Sequence, residues 1–147
     1  MYRITALGGL TLLDANGRIA ESIRGRNLAL LALLARAGNP GLTREKLAAY
    51  LWPESDAARA RHSLDQALYT VRRALDADPF VSEASTLALH QAVISSDVAD
   101  FDHAVASGEL REAIEHYRGP FLDGFHLSGA PEFERWVDAE RAELLRL

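Results

Sequence analysis

The stretch SDAARARHSLDQALYTVRRAL, residues 55–75, has the periodicity of one long amphipathic helix. At about 100° per residue, its apolar side chains fall in one narrow stripe, formed by Leu64, Leu68, Val71 and Leu75. Ser55 and Asp56 are both residue types that cap helix N-termini. The sequence therefore predicts a helix over residues 55–75 that is anchored to the rest of the protein by one face.

The opposite face of this helix carries the side-chain types that proteins use to read DNA. Guanidinium groups, an amide, hydroxyls and aromatic rings contact phosphates and base edges. Here they belong to Arg59, Arg61, His62, Ser63, Gln66, Tyr69, Thr70, Arg72 and Arg73. The alternative is an ordinary solvated face. A helix anchored on one side and polar on the other also fits the major groove, so double-stranded DNA and ordinary solvent are both open interpretations of this face.

The residues before this helix predict a small sheet followed by two shorter helices. Residues 2–20 alternate and contain the turn signal DANG, which indicates short antiparallel strands. A helix is expected from about Arg24 to Ala37. The next begins after Thr43, a good N-cap, and ends at Trp52-Pro53. Its apolar face comprises Leu47, Ala48 and Leu51.

Two cations open the second of these helices. Arg44 and Lys46 lie in its first turn, and the helix before a recognition helix commonly lies against the DNA backbone. Phosphate contact and ordinary solvation are both open interpretations of these two residues.

The residues after the long helix predict a hairpin and then helices. The pattern predicts a β-hairpin from Phe80 to Leu89 and a further short strand at Val93-Ile94. From Asp97 onward the pattern is helical, with breaks at Gly108 and Gly119-Pro120. The second of these helices has apolar positions at Leu110, Ala113, Ile114 and Tyr117, and the last begins at Pro131. We expect Phe101, Tyr117, Phe133 and Trp136 to be mostly buried.

Charge is unevenly distributed along the 147 residues, whose net charge is −5. Residues 1–78 hold 11 Lys+Arg and 8 Asp+Glu, a net of +3, whereas residues 79–147 have a net of −8. The first part suits a polyanionic partner and the second repels one. Hydrophobic residues make up 48%, enough for a buried core. No signal peptide or membrane-spanning run is found, so a cytoplasmic protein is expected.

No pattern of catalytic or metal-ligating residues is found. The chain has no Cys, which excludes thiolate chemistry and Cys-based zinc sites. No two of its five His have the spacing of a helical metal site, and Gly8-Gly9 is not followed by a phosphate-loop pattern. We therefore expect neither an enzyme nor a protein with a metal or cofactor.

Five phrases, in this order, resemble the antibiotic-regulatory-protein family of bacterial transcriptional activators. They are LLALLARAGNPGLTREKLAAYLWPE, ARHSLDQALYTVRRAL, SSDVADFDHAV, EHYRGPFLDGF and PEFERWVDAER. The resemblance implies a mainly α fold with small β-sheets: a winged helix-turn-helix of the OmpR type over residues 1–95. Residues 97–147 would begin a helical bacterial transcriptional activator domain, with hairpins like those of tetratricopeptide repeats, that continues past Leu147.

The resemblance also implies a function. The helix over 55–75 would be the recognition helix, Arg72-Arg73 its basic pair, and residues 80–94 the wing. Members of this family are sequence-specific DNA-binding regulators, so an activator is expected that binds direct repeats, as a homodimer, and contacts RNA polymerase.

Two departures from the family pattern favour an alternative. Asp65 stands where family members often carry Arg, and the wing tip Glu83-Ala84-Ser85-Thr86 has no Arg or Lys. A basic wing would contact the minor groove or a phosphate. The alternative is a protein–protein interaction module with a degenerate winged helix that no longer binds DNA.

Overall fold

A computed structural model of the chain describes residues 1–147 and contains six helices and six short strands. In chain order they are β1 (Tyr2–Thr5), β2 (Thr11–Leu13), α1 (Arg26–Ala37), β3 (Leu42–Thr43), α2 (Arg44–Leu51), α3 (Ala57–Leu75), β4 (Phe80–Glu83), β5 (Thr86–Leu89), β6 (Ile94–Ser96), α4 (Asp97–Ala106), α5 (Leu110–His116) and α6 (Pro131–Arg146). The predicted fold class, a winged helix followed by a helical part, is confirmed. No helix combines the length and the apolar character needed to cross a bilayer.

The long amphipathic helix is α3, and it starts two residues later than predicted. The Asp56 side chain caps it by accepting the backbone N–H of Arg59 at 2.8 Å, so Ser55 lies outside. The helix ends where Asp76 adopts a left-handed conformation with φ 50°. The predicted apolar stripe is buried, which fixes which face of α3 points outward.

Two three-stranded sheets flank the helices. The first has the order β2-β1-β6, and β1 pairs antiparallel with β2 but parallel with β6. The predicted antiparallel pair is therefore present, whereas the parallel partner was not foreseen. The second sheet has the order β3-β5-β4, in which β4 and β5 are the predicted hairpin.

Strand β3 approaches the hairpin so closely that the residue before it must be glycine. Gly41 has φ +97°, and a Cβ atom there would lie 1.8 Å from the carbonyl oxygen of Leu87. Any side chain at this position would push β3 off β5. The close pairing brings the N-terminus of α2, which follows β3 directly, next to the wing.

One hydrophobic core extends through both parts of the chain. Helix α1 lies at its centre, because all eight residues from Leu28 to Ala35 are buried. This helix contacts α2 and α3 on one side and α4, β1 and β5 on others. A helix whose side chains are apolar on every face is buried on every face. This accounts for the burial of the whole apolar run from Leu28 to Ala35.

Residues 97–147 pack directly on the winged helix. The Trp136 ring of α6 lies 6.2 Å, between ring centroids, from Tyr50 of α2. Arg36, at the end of α1, donates to Asp102 of α4 at 2.6 Å and to Glu140 of α6 at 2.7 Å. Helices α4 and α6 are thus both joined to α1 by one guanidinium group.

The burial expected in the helical part is found for its four aromatic residues but not for all of α5. Phe101 and Phe133 are buried, at 4% and 0% exposure, and Tyr117 and Trp136 pack against the core with the smaller part of their surface exposed. In α5 the predicted apolar face is wrong at two positions. Ala113 is buried, but Leu110 and Ile114 are 63% and 72% exposed. The main contacts of this two-turn helix are with α4.

Candidate nucleic-acid interface

Helices α2 and α3 form a helix-turn-helix whose turn is held by a residue of α1. Thr43 caps α2 by accepting the backbone N–H of Lys46 at 3.1 Å, as predicted. At the other end of α2, Arg26 donates from Nε to the carbonyl oxygen of Leu51 at 2.8 Å and lies 3.6 Å from Glu54. A charged donor on the last carbonyl replaces the missing helical partner. The end of α2 and Glu54 of the turn are thereby tied to the first residue of α1.

Most of the residues predicted to contact DNA lie on the exposed face of α3. Tyr69 is 57% exposed, which is unusual for a large aromatic side chain. Seven of the predicted α3 residues are exposed: Arg59, Arg61, His62, Gln66, Tyr69, Thr70 and Arg73. Ser63 and Arg72 are half-buried. Asp65, Gln66, Tyr69 and Thr70 border one shallow surface depression.

The arginines of α3 differ in whether a carboxylate neutralises them. Arg72 pairs with Asp78 at 2.9 Å, and its guanidinium lies 5.4 Å from the centre of the Phe80 ring. It therefore ties the end of α3 to β4. Arg61 lies 3.5 Å from Glu45 of α2, and Arg59 lies 3.8 Å from Asp56, the residue that caps α3.

Arg73 has no carboxylate within ion-pair distance, and its only side-chain partner is the Tyr69 hydroxyl at 3.4 Å. Lys46 and Arg44 of α2 likewise have no acidic partner. Three of the predicted cations thus have no acidic partner to compensate their charge. The sequence pattern did not distinguish them from Arg72, since Asp78 lies beyond the end of the helix and outside its periodicity.

Arg44 reaches the tip of the wing. Its Nη1 donates to the carbonyl oxygen of Ala84 at 3.3 Å, and its Nη2 donates to the hydroxyl of Ser82 at 3.1 Å. Its backbone N–H donates to the carbonyl oxygen of Ser85 at 3.1 Å. The first residue of α2 and the β4–β5 turn are consequently one connected unit.

A partly buried carboxyl with a raised pKa lies away from this surface, where the helical part meets α1. Burial raises the pKa of Asp102, and the neighbouring Arg36 guanidinium partly opposes that rise. No three His, Asp or Glu side chains cluster as metal ligands would. The helix-turn-helix surface is thus distinguished by exposed donors and unpaired cations.

Comparisons with known proteins agree with this fold. No curated protein matches the chain. Over the whole chain, the fold is similar to the solved structure of Mycobacterium tuberculosis EmbR in complex with a low affinity phosphopeptide, with 22% sequence identity and a TM-score of 0.67. The similarity covers 98% of this chain but 42% of that one, so the chain spans less than half of EmbR's length. Residues 21–86, from the segment before α1 into the wing, match the family model described as "Transcriptional regulatory protein, C terminal".

Proposed function

We propose that this chain is a sequence-specific DNA-binding regulator of transcription that reads the major groove with α3. The observation that supports this most is the division of α3 into two faces. One face is buried against the core, while the other exposes the donors and acceptors that base edges and phosphates require. The match of residues 21–86 to a transcriptional regulatory domain supports the same function.

The proposed contact set keeps the residues predicted from the sequence but divides them by role. Gln66, Tyr69 and Thr70 border the central depression and suit base edges. Arg73, Arg44 and Lys46 carry unpaired charge and suit phosphates. The set also includes Arg59, Arg61, His62, Ser63 and Arg72, of which Arg72 is already engaged with Asp78.

The proposal includes the organisation that the resemblance implies. Residues 1–95 would form the DNA-binding domain and residues 97–147 the start of an activator domain. Residues 97–147 hold 5 Lys+Arg and 12 Asp+Glu, a net charge of −7, which makes this part unsuitable for DNA and suitable for a protein partner. We propose activation through contact with RNA polymerase, and binding as a homodimer to direct repeats.

Salt-dependent binding to duplex DNA tests this function. A best site is selected from random duplexes, and the dissociation constant is then measured from about 50 to about 200 mM salt, over which release of counterions from DNA should lower the affinity steeply. Arg73→Ala should lower affinity and reduce the slope of log K against log salt by about one. Arg111→Ala, an exposed cation on α5, is the matched control and should change neither.

The second candidate function makes the opposite prediction. If the winged helix is only a protein-interaction module, the chain should bind duplex DNA no more tightly than an acidic globular protein does, and no site should be enriched. The absence of any cation in the wing tip is the observation that favours this alternative.

A further inference from the structure

The wing hairpin lacks the charge that a wing needs to approach DNA. From Phe80 to Leu89 its only charged residue is Glu83, which is exposed at the turn. A carboxylate at this position repels phosphates, and no side chain of the hairpin itself compensates it. A wing that contacts DNA would therefore have to obtain its positive charge from another element.

Arg44 is placed to provide that charge. Its guanidinium lies against the wing turn through the Ala84 carbonyl and the Ser82 hydroxyl. Strand β3 pairs with β5 immediately before it, and the backbone N–H of Arg44 donates to Ser85. Three hydrogen bonds thus hold this residue against β4 and the β4–β5 turn, so its side chain has lost freedom before any ligand arrives.

The charge of Arg44 remains available to an anion. Both of its side-chain acceptors are neutral, and no carboxylate lies within 4.0 Å of it, whereas Arg61 and Arg72 each face an acidic residue. A guanidinium group has five N–H donors. Two of these donors bind the wing, which leaves three N–H groups that can donate to the oxygens of a phosphate.

We infer that Arg44 is the cation of the wing: it binds one DNA phosphate at the wing turn and ties α2 and the wing into one contact unit. This inference rests on the proposed function and goes beyond it. It assigns the phosphate contact next to the wing to a residue of α2, although Arg44 and the wing turn are about 40 residues apart in the sequence. It also explains how a wing without Arg or Lys still serves DNA binding.

Removal of single phosphate charges tests the assignment directly. Duplexes carrying the selected site are prepared with a neutral methylphosphonate at each position around the footprint in turn. For the parent protein, one or two positions next to the wing should weaken binding. For Arg44→Gln those positions should have no further effect, because the residue and the phosphate act as a pair.

Arg44→Gln should also weaken binding about tenfold at 0.1 M salt and lower the salt slope by about one, since one counterion fewer is released. Arg44→Lys should keep the slope but lose part of the affinity. Ser82→Ala, which removes one tether and no charge, should weaken binding less than Arg44→Gln. Thermal unfolding of each variant serves as the control that the fold is kept.

The possible outcomes separate the inference from the function. If the parent binds its site but Arg44→Gln keeps the parent's salt slope and its sensitivity to every methylphosphonate, the inference is overturned and the proposed function stands. If the parent selects no site and binds duplex DNA without salt dependence, both are overturned.

Discussion

Asp97, the first residue of α4, accepts a hydrogen bond of 2.8 Å from the backbone N–H of Ala6, the residue after β1. Its second carboxylate oxygen accepts the N–H of Leu7 at 3.0 Å. Asp97 is 6% exposed, so both bonds are formed away from water. Two backbone groups that would otherwise be buried without partners are thus satisfied by one carboxylate, and the start of the helical part is attached to the first sheet.

Replacing Asp97 by Ala should destabilise the protein strongly. Both N–H groups would lose their acceptor in a buried place, and each unsatisfied group costs about 1–3 kcal/mol. We expect the free energy of unfolding to fall by about 2–4 kcal/mol in urea titrations. Asp123→Ala, at an exposed position, is the control. A change in Asp97→Ala no larger than in this control would show that the two bonds contribute little.

Asp102 should make stability depend on pH in the mildly acidic range. Its pKa is raised in the folded protein, so the folded state holds its proton to higher pH than the unfolded state does. Protonated Asp102 therefore stabilises the folded state. This contribution to the free energy of unfolding is largest below the ordinary pKa of an aspartate and is lost as pH rises through the raised pKa of Asp102.

The comparison is with Asp102→Asn, which does not titrate. The free energy of unfolding of the variant minus that of the parent should increase with pH across this window and become constant above it. A difference that is independent of pH would contradict the raised pKa. Equilibrium unfolding in urea at closely spaced pH values provides the measurement.

Trp136→Ala should weaken the packing of α6 on the rest of the protein. The Trp136 ring contacts Phe121 edge-on at 5.5 Å and Phe133 at 5.7 Å, in addition to Tyr50. Loss of a large core aromatic costs about 3–5 kcal/mol. Because Trp136 is half-buried, we expect the lower end of that range. Leu145→Ala, 72% exposed on the same helix, should be nearly neutral, and equal losses in the two variants would refute this packing role.

The sequence predicted the elements well because their signals are local. The periodicity of α3, the Thr43 cap and the β4–β5 hairpin each depend on residues within a few positions of one another. The parallel pairing of Tyr2 with Ile94 is not encoded in this way. It joins two segments that are about 90 residues apart in the sequence, and neither segment alone specifies a partner.

The candidate site was predicted as a face but not as a set of roles. Helical spacing shows which α3 residues point outward, and the structure places them there. Helical spacing cannot show that Arg72 is neutralised by Asp78 or that Arg44 lies against the wing, because both contacts are made with residues outside the helix concerned. The exposure of Ile114 was missed for a similar reason, since apolar spacing does not reveal whether a neighbouring element is present to cover it.

Gln66 is the residue that we expect to read sequence. It is exposed at the middle of α3 and borders the depression with Tyr69 and Thr70. Its amide donates and accepts at once, which matches the paired edge of adenine in the major groove. No carboxylate or guanidinium is hydrogen-bonded to it, so the amide is free to turn toward a base.

A site selection with the parent and with Gln66→Ala tests this role. Preference should relax at one or two adjacent base pairs, at a cost of about 1–3 kcal/mol for the best site. Affinity for random duplexes should change little, because the substitution removes no charge. Arg73→Ala should show the opposite pattern, with an even loss across sequences. If both proteins select the same motif with the same stringency, Gln66 is a solvated residue of the helix and another side chain of this face specifies the site.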